Sequence, residues 1–261
     1  MGTIMNDITV LIPTYNHSRF IKKALDSVTQ QSLFRSLVIV VSDDKSRDDT
    51  FEKSLEFAKP YDNISVISND HNLGIMRHYK SLIDRVNTPY VAILEGDDYW
   101  INERKLDEQL RLMKLNEKME CAFTGYRLDF QGAAPDALGP SGFPQNRHRL
   151  VYFPELLQEN IVATFSTCLY RTEAIRDLMS VPSIQDGYDW LINLVLAARS
   201  PLGFLGRHGT NYRVHPSGTW SRMSESERKG MLLSTLHHAR ELVSAHWKSL
   251  IDARIKQMEV K

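Results

Sequence analysis

The first hundred residues alternate short apolar runs with longer segments in which apolar residues recur at helical spacing. Short runs rich in Val and Ile predict strands, and apolar residues three or four positions apart predict helices. Strict alternation of the two favours a parallel, doubly wound sheet with right-handed crossovers. Pro13 is expected to end the first strand. The predicted strands cover 8–12, 37–41, 64–67 and 90–94, and the predicted helices cover 19–31, 49–58 and 74–86.

The remaining residues give fewer strand signals and more helical ones. Apolar spacing predicts helices at 102–116 and 186–199, and one or two terminal helices within 225–256. Between them, residues 132–145 are rich in Gly, Pro and Ala and predict a loop. A loop of that length inside a compact domain is expected to be mobile or functional.

Composition narrows the classes of protein to consider. The 261 residues are 42% hydrophobic and 25% charged, with a net charge of 0, as in ordinary globular proteins. A balanced charge argues against a nucleic-acid partner. The two cysteines, Cys121 and Cys168, are expected to be reduced core thiols, which fits a cytoplasmic location. Neither a signal peptide nor a membrane-spanning stretch is expected, so lipid-linked material would be met at the membrane surface.

Each predicted strand is followed by polar residues, and the carboxyl ends of parallel strands meet at one edge of a sheet, where ligands bind. The last of these loops, 95–98, holds three carboxylates. Closely packed carboxylates favour Mg²⁺ or Mn²⁺, but the same cluster is also typical of a solvated turn that caps a helix. The cluster alone leaves both interpretations open. The four loops cover 13–16, 42–46, 69–74 and 95–98.

The order of these motifs resembles the family 2 inverting glycosyltransferases, which have the GT-A fold. The resemblance implies an α/β protein with a mostly parallel central sheet flanked by helices, followed by a C-terminal helical extension. It divides the chain into a nucleotide-binding half at 1–100, an acceptor half at 101–221 and the extension at 222–261. The matching segments are Val10 to Asn16, Val41 to Asp44 with Ser46 to Thr50, Asn72 to Gly74 with Arg77, Glu95 to Trp100, Gly187 to Trp190 and Tyr212 to His215.

The resemblance also implies the residues that bind the donor. Asp43 would accept a hydrogen bond from the imide N–H of the base, while Asp44 is a candidate for a structural role. Asp97 would be the best ligand for Mn²⁺ or Mg²⁺, with Asp98 and His215 as further ligands. Glu95 replaces the first aspartate of the family's Asp-X-Asp pattern and is placed nearer the ribose. The nucleotide-binding set is Pro13, Thr14, Tyr15, Asn16, Asp43, Asn72, Arg77, Glu95, Gly96 and Asp97.

The later motifs imply the residues that carry the transfer itself. Asp189 would take the proton of the acceptor hydroxyl, with Asp186 as an alternative base. Tyr188 departs from the family pattern, which often has an acidic pair here. Trp190 and Arg213 would contact the diphosphate or the acceptor, although core packing is an equal alternative for Trp190.

These residues predict a metal-dependent inverting glycosyltransferase that moves a sugar from a UDP or dTDP donor to a saccharide or lipid-linked saccharide, in bacterial surface polysaccharide synthesis. The alternative is a catalytically inactive scaffold or nucleotide-binding protein with the same fold. A dinucleotide enzyme or a P-loop protein is excluded, since no glycine-rich loop follows the first strand. The apolar stripe of 232–255 leaves three roles open: packing on the parent domain, a homodimer, or peripheral contact with the inner face of the membrane.

Overall fold

The computed structural model describes residues 6–130, 147–186 and 188–260, and at residues 185 and 186 it describes only the backbone. The predicted loop at 132–145, Gly187 and the side chain of Asp186 therefore lie outside the described residues. Within the described ranges, no helix is long and apolar enough to cross a bilayer.

The N-terminal part confirms the predicted alternation of strands and helices. Each element lies within a few residues of its predicted bounds, as expected where a regular apolar pattern sets the element. Its elements in order are β1 (Ile8–Thr14), α1 (Ile21–Thr29), β2 (Leu37–Asp43), α2 (Thr50–Ala58), β3 (Ile64–Ser68), α3 (Ile75–Ile83) and β4 (Tyr90–Ile93).

The C-terminal part adds strands that the sequence did not predict. The helix expected at 186–199 begins only at residue 189, after a 3-10 turn over Pro182–Asp186. The elements are β5 (Tyr99–Trp100), α4 (Lys105–Leu115), β6 (Cys121–Phe130), β7 (Arg149–Val151), α5 (Phe153–Gln158), β8 (Cys168–Arg171), α6 (Thr172–Met179), α7 (Asp189–Arg199), β9 (Leu202–Val214), α8 (Thr219–Arg222), α9 (Glu225–Leu242) and α10 (Ala245–Val260).

The described strands form one mixed sheet in the order β3-β2-β1-β4-β8-β6-β9-β5, with β7 paired to β9. β1 pairs in parallel with both β2 and β4, and β2 with β3, so this half is the parallel sheet that the sequence predicts. β8 then runs antiparallel to both β4 and β6. The parallel half brings the carboxyl ends of four strands to one edge, as expected from the sequence.

Pro13 does not end β1, contrary to the prediction. The strand continues to Thr14, and the carbonyl of Pro13 accepts a hydrogen bond of 3.0 Å from Gly96 N–H. The carbonyl and nitrogen of one strand residue point to the same side, and on this side β4 has already ended at Ile93. Because no ladder bond is required from the Pro13 nitrogen, proline is tolerated inside a central strand here.

Two apolar cores cover the two faces of the sheet. Leu11 belongs to one core and its neighbours Val10 and Ile12 to the other, as expected for a strand buried on both faces. The terminal helices α9 and α10 join the first core through fully or nearly buried residues. Packing on the parent domain therefore accounts for the inner part of their apolar stripe. These residues are Leu236, Ala239, Val243, Ile251 and Ile255.

Candidate functional site

A cavity of about 450 Å³ lies at the carboxyl edge of the parallel strands. The loops after β1, β2, β3 and β4 all reach it, together with the segment that follows β9. The structure thus brings together residues that lie more than two hundred positions apart. Its lining comprises Pro13, Thr14, Tyr15, Asn16, His17, Asp44, Asn72, Gly74, Ile75, His78, Tyr79, Glu95, Asp97, His215, Ser217, Gly218, Thr219 and Arg222.

Glu95 is the first carboxylate of the acidic turn and it is held by two hydroxyl groups. Tyr79 donates a hydrogen bond of 2.6 Å to Oε1, and Thr164 donates one of 2.5 Å to Oε2. Burial, followed by the charge of Asp97, raises the pKa of Glu95 to about 7. A carboxyl in this state can exchange a proton near neutral pH, so Glu95 is a poor permanent counter-charge for a cation.

Asp98 points away from the cavity that its neighbours line. It is 1% exposed, and its Oδ1 accepts the backbone N–H of Arg213 at 3.0 Å. Its Oδ2 lies 3.3 Å from the hydroxyl of Thr164. Burial and the charges of Asp97 and Glu95 raise its pKa well above the ordinary value. One oxygen thus joins the turn to β9 and the other lies against Thr164, an arrangement that does not suit the predicted role as a direct metal ligand.

Asp97 is the carboxylate that faces the cavity. Its Oδ2 lies 3.1 Å from His215 Nε2 and 3.6 Å from His17 Nε2. Burial alone would raise its pKa, but these two imidazoles outweigh burial and lower the pKa to about 2. Asp97 is therefore ionised at every physiological pH and offers an anionic oxygen to a ligand in the cavity.

The donor set at this point fits a divalent cation only in part. No group of three or more His, Cys, Asp and Glu residues in the described ranges is arranged to hold a metal ion. Mg²⁺ in nucleotide sites usually takes one or two carboxylates and fills its remaining positions with phosphate oxygens and water. Asp97 with His215 supplies a carboxylate and an imidazole, which fits a cation shared with a diphosphate.

The two aspartates after β2 differ in position. Asp43 is not among the residues that line the cavity, and Ser46 donates to it from both its hydroxyl and its backbone N–H. Asp44 lines the cavity and accepts the backbone N–H groups of Leu73 and Gly74 at 2.9 and 3.0 Å. Neighbouring residues at a strand end point to opposite sides, so only one of the pair reaches the cavity directly.

The loop after β3 is fixed to Asp44 rather than free. Asn72 donates a hydrogen bond of 3.0 Å to the carbonyl of Asp44 and accepts one of 3.1 Å from Gly74 N–H. Gly74 has a φ of 78°, a conformation that favours glycine, and it starts α3. The carboxylate of Asp44 therefore fixes the backbone at Leu73 and Gly74, immediately before α3, and so sets the direction in which the helix leaves the cavity.

The structure does not place Arg77 at the cavity. Arg77, which the resemblance placed among the nucleotide-binding residues, is exposed on α3 and is not among the residues that line the cavity. The cavity side of the helix is formed instead by His78, whose Nε2 lies 2.8 Å from Ser42 Oγ. One residue along a helix turns the side chain by about 100°, which is why two neighbours face opposite ways.

Thr14 and Gly96 meet where β1 and the acidic turn touch. The hydroxyl of Thr14 is buried and has no hydrogen-bond partner among the described residues, although Thr14 lines the cavity. A Cβ added at Gly96 would lie 2.6 Å from that hydroxyl and 2.9 Å from His17 Nδ1. The close approach explains why glycine stands between the two carboxylates.

Asp189 lies at the first residue of α7 and is half-buried. Asn160 donates a hydrogen bond of 3.1 Å to its Oδ2. Burial raises the pKa of Asp189 to about 6, against the opposing hydrogen bonds from Asn160 and the start of the helix. The charge of Asp189 contributes to the raised pKa of Glu95, so the two carboxylates lie within electrostatic reach. A carboxylate of this kind suits general base catalysis.

Trp190 and Arg213 have structural surroundings rather than open ones. Trp190 is 5% exposed in the core, and its indole N–H donates to the carbonyl of Leu156 at 2.9 Å. Arg213 donates to the carbonyl of Asp97 at 2.7 Å and stacks on the ring of Tyr99 at 4.6 Å. Neither residue lines the cavity. Arg213 instead holds the acidic turn through the carbonyl of Asp97, and Trp190 packs in the core, which was the alternative given for it.

Several residues that line the cavity or contact Asp189 were not predicted from the sequence. His17 and Ser217 each lie within two positions of a predicted residue, and this nearness was the only signal available. His78, on α3, and Arg222, on α8, come from helix faces that cannot be assigned without the fold. Asn160 contacts Asp189 across 29 positions of sequence, so no local pattern could reveal it.

The amino-acid sequence matches a known family and a protein of another organism. The model of the family described as glycosyl transferase family 2 matches residues 9–179. An uncharacterized protein of Mycobacterium tuberculosis is 26% identical over 247 residues, covering 92% of this chain and 69% of its own length.

Two solved structures share the fold. S. aureus TarS 1-349 in complex with UDP-GlcNAc matches with a TM-score of 0.72 at 17% identity, covering 97% of this chain and 71% of that one. The mannosyltransferase PcManGT of Pyrobaculum calidifontis, in complex with GDP-Man and Mn²⁺, matches with a TM-score of 0.69 at 16% identity, covering 95% and 69%. The GT-A fold expected from the sequence is thereby confirmed.

Proposed function

The chain belongs to glycosyl transferase family 2, and on that premise we propose that it is a metal-dependent inverting enzyme that transfers a sugar from a nucleotide diphosphate to a hydroxyl acceptor. A single observation carries the proposal. Asp97, ionised and held between two imidazoles, lines the same cavity as the loops after β1 to β3. That arrangement suits a nucleotide whose diphosphate is bound together with a divalent cation.

The first three strand ends and α3 supply the nucleotide part of the proposed site. Tyr15 is 37% exposed at the rim, where an aromatic ring can cover a base. Of the two aspartates only Asp44 lines the cavity, and both of its oxygens accept hydrogen bonds from the loop after β3, so we place Asp44 beside the nucleotide as the residue that fixes this loop. UDP is the first nucleotide to test, because the structural neighbour TarS was solved with UDP-GlcNAc.

The diphosphate would lie near Asp97 and the segment after β9. Asp97 and His215 would hold the cation, and Arg222 at the end of α8 offers a positive charge on the same cavity. A bound Mn²⁺ or Mg²⁺ supplies Lewis-acid stabilisation of the negative charge that develops on the leaving diphosphate. Arg213 and Asp98 keep the turn that carries Asp97 in place, through the carbonyl of Asp97 and the N–H of Arg213.

Asp189 would act as the base that takes the proton of the acceptor hydroxyl. Its pKa of about 6 leaves it ionised at neutral pH yet more basic than an ordinary aspartate. General base catalysis of this kind contributes roughly 10²- to 10⁴-fold. A single in-line displacement assisted by one base inverts the anomeric centre, and this is the stereochemistry we propose. The acceptor class and the role in surface polysaccharide synthesis stay predictions from the family.

Nucleotide binding is the first experiment. Thermal unfolding is recorded with UDP, dTDP, GDP and CDP, each with Mn²⁺ or with EDTA. A nucleotide present at 100 times its dissociation constant stabilises the fold by about 2.7 kcal/mol, which gives a measurable shift. We expect one nucleotide to respond in a metal-dependent way and Asp97→Ala to lose that response. If no nucleotide shifts the thermal unfolding transition, the hypothesis of a catalytically inactive scaffold is favoured over that of an enzyme.

A further inference from the structure

The segment from residue 160 to 166, called here the bridge segment, connects the acidic turn with Asp189. At one end Asn160 donates to Asp189 Oδ2 at 3.1 Å. At the other end Thr164 Oγ1 lies 2.5 Å from a Glu95 oxygen and 3.3 Å from an Asp98 oxygen. A single short piece of chain therefore contacts carboxylates from two distant parts of the site.

The bridge segment is rigidly built. Ala163 has a φ of 63°, a conformation that is strained for a residue other than glycine and persists only where the surroundings enforce it. The hydroxyl of Thr167 donates to the carbonyls of Val162 and Thr164 at 3.1 and 2.9 Å. Val162 is fully buried in the core and anchors the middle of the segment.

The orientation of the Asn160 amide is fixed by its own turn. Its Oδ1 accepts the backbone N–H of Ala163 at 3.2 Å, so the other end of the amide, Nδ2, must be the group that faces Asp189. A backbone N–H cannot act as an acceptor, which removes the usual ambiguity between the two ends of an amide. Asn160 is thus a fixed donor to one named oxygen of Asp189.

We propose that Asn160 is a positioning residue for Asp189: it holds Oδ2 and leaves Oδ1 as the oxygen that accepts the proton of the acceptor hydroxyl. This inference rests on the proposed function, in which Asp189 is the base. It adds a role to a residue that none of the sequence motifs contains. The bridge segment then sets the position of the base relative to the acidic turn.

The hydrogen bond from Asn160 is the largest interaction that lowers the pKa of Asp189 against the effect of burial. Besides burial, the charge of Asp189 raises the pKa of titratable groups on four strands or strand ends among the described residues, including Glu95 after β4, Tyr126 on β6, Tyr170 on β8 and Tyr212 on β9. None of these four groups is a cation. The interactions that lower the pKa of Asp189 are the hydrogen bonds from the neutral amide of Asn160 and from the backbone N–H groups at the start of α7.

The test reads the titration of Asp189 directly and needs no substrate. Carbon-13 NMR of the aspartate carboxyls is recorded from pH 4 to 9, and the Asp189 signal is identified by its loss in Asp189→Asn. Asn160→Ala should raise the midpoint by about one to two pH units, since a hydrogen bond to the charged form is lost. Asn160→Asp keeps the acceptor for Ala163 but replaces the donor by a carboxylate, and should raise it further.

Ala163→Gly is the matched control. Glycine accepts the positive φ and keeps the N–H that binds Asn160, so the midpoint should not move. An Asp189 midpoint that is the same in Asn160→Ala as in the wild type would overturn the proposal.

Turnover then tests the positioning itself. Hydrolysis of UDP-GlcNAc by water is measured at pH 8.5, where Asp189 is ionised in both proteins. Asn160→Ala should lower kcat by about tenfold to a hundredfold with KM for the donor unchanged, because only the geometry of the base is altered. An unchanged kcat overturns the positioning role. Absence of turnover in the wild type, together with no stabilisation by any nucleotide, would instead count against the proposed function. The NMR titration would still show whether Asn160 donates a hydrogen bond to Asp189.

Discussion

Replacing Gly96 by alanine tests how tightly the acidic turn is packed against β1. The new Cβ would lie 2.8 Å from Thr14 Cβ and 2.6 Å from Thr14 Oγ1. Thr14 is 2% exposed, and its Cβ is fixed to the backbone of β1, so it cannot swing aside. Either the strand or the turn must therefore shift, and overpacking of this kind costs about 1–3 kcal/mol.

The expected result of Gly96→Ala is a lower melting temperature together with weaker nucleotide binding. A loss of about 2 kcal/mol corresponds to a fall in Tm of about 4–8 °C for a chain of this size. The shift also displaces Asp97 and His17, both of which line the cavity, so the thermal response to UDP with Mn²⁺ should shrink or vanish.

Gly230→Ala is the control for this substitution. Gly230 lies within α9, and a Cβ there would meet nothing within 4 Å. Alanine is favoured over glycine in a helix by about 1 kcal/mol, so this variant should melt slightly higher than the wild type and keep its nucleotide response. Should Gly96→Ala melt like Gly230→Ala and respond equally to UDP, the packing argument is wrong.

Three further predictions concern ionisable groups. The turnover rate should fall about tenfold per pH unit below pH 6, because Asp189 has a pKa of about 6 and its protonation removes the base. At pH 8, Asp189→Asn should lower turnover by about 10²- to 10⁴-fold. The same variant should have a higher melting temperature, because burial disfavours the charged carboxylate that it removes. EDTA should abolish turnover, with Mn²⁺ restoring the wild type but not Asp97→Ala; full activity in EDTA would refute the metal dependence. Burial lowers the pKa of Lys105 to about 7, so between pH 7 and pH 10 the unfolded chain binds more protons than the folded protein. The free energy of unfolding, measured by urea denaturation, should therefore rise over this pH range. Lys105→Met should remove that rise and be more stable at pH 7, and an unchanged slope would contradict it.

The core around Lys105 illustrates a position that the sequence pattern misreads. Lys105 lies at the start of a helix predicted from apolar spacing, where a lysine is expected to be solvated. In the structure it is fully buried, with Nζ 3.0 Å from Gln109 Oε1 and 4.6 Å from the ring centre of Trp100. The partners come from the helix itself and from β5, a strand that was not predicted. Burial is decided by which elements pack together, which a local period does not encode.

Neighbouring carboxylates show the same limit within the site. The sequence located the acidic turn and the strand end that carries it, because a short apolar run followed by polar residues is a local signal. The local pattern of apolar and polar residues does not tell which member of the pair Asp97 and Asp98, or of the pair Asp43 and Asp44, faces the cavity. Adjacent residues point to opposite sides, and the side that becomes the cavity depends on contacts such as the Arg213 N–H on Asp98.

By itself, the sequence determined the alternation of β1 to β4 with their helices and the edge at which their polar loops meet. These follow from apolar periods of two and 3.6 residues and from the common direction of parallel strands. Only the tertiary structure decided that β8 joins β4 in the antiparallel direction, that Trp190 lies in the core, and that Asn160 holds Asp189. Contacts between residues far apart in the chain depend on how the elements pack, and no local pattern of side chains specifies them.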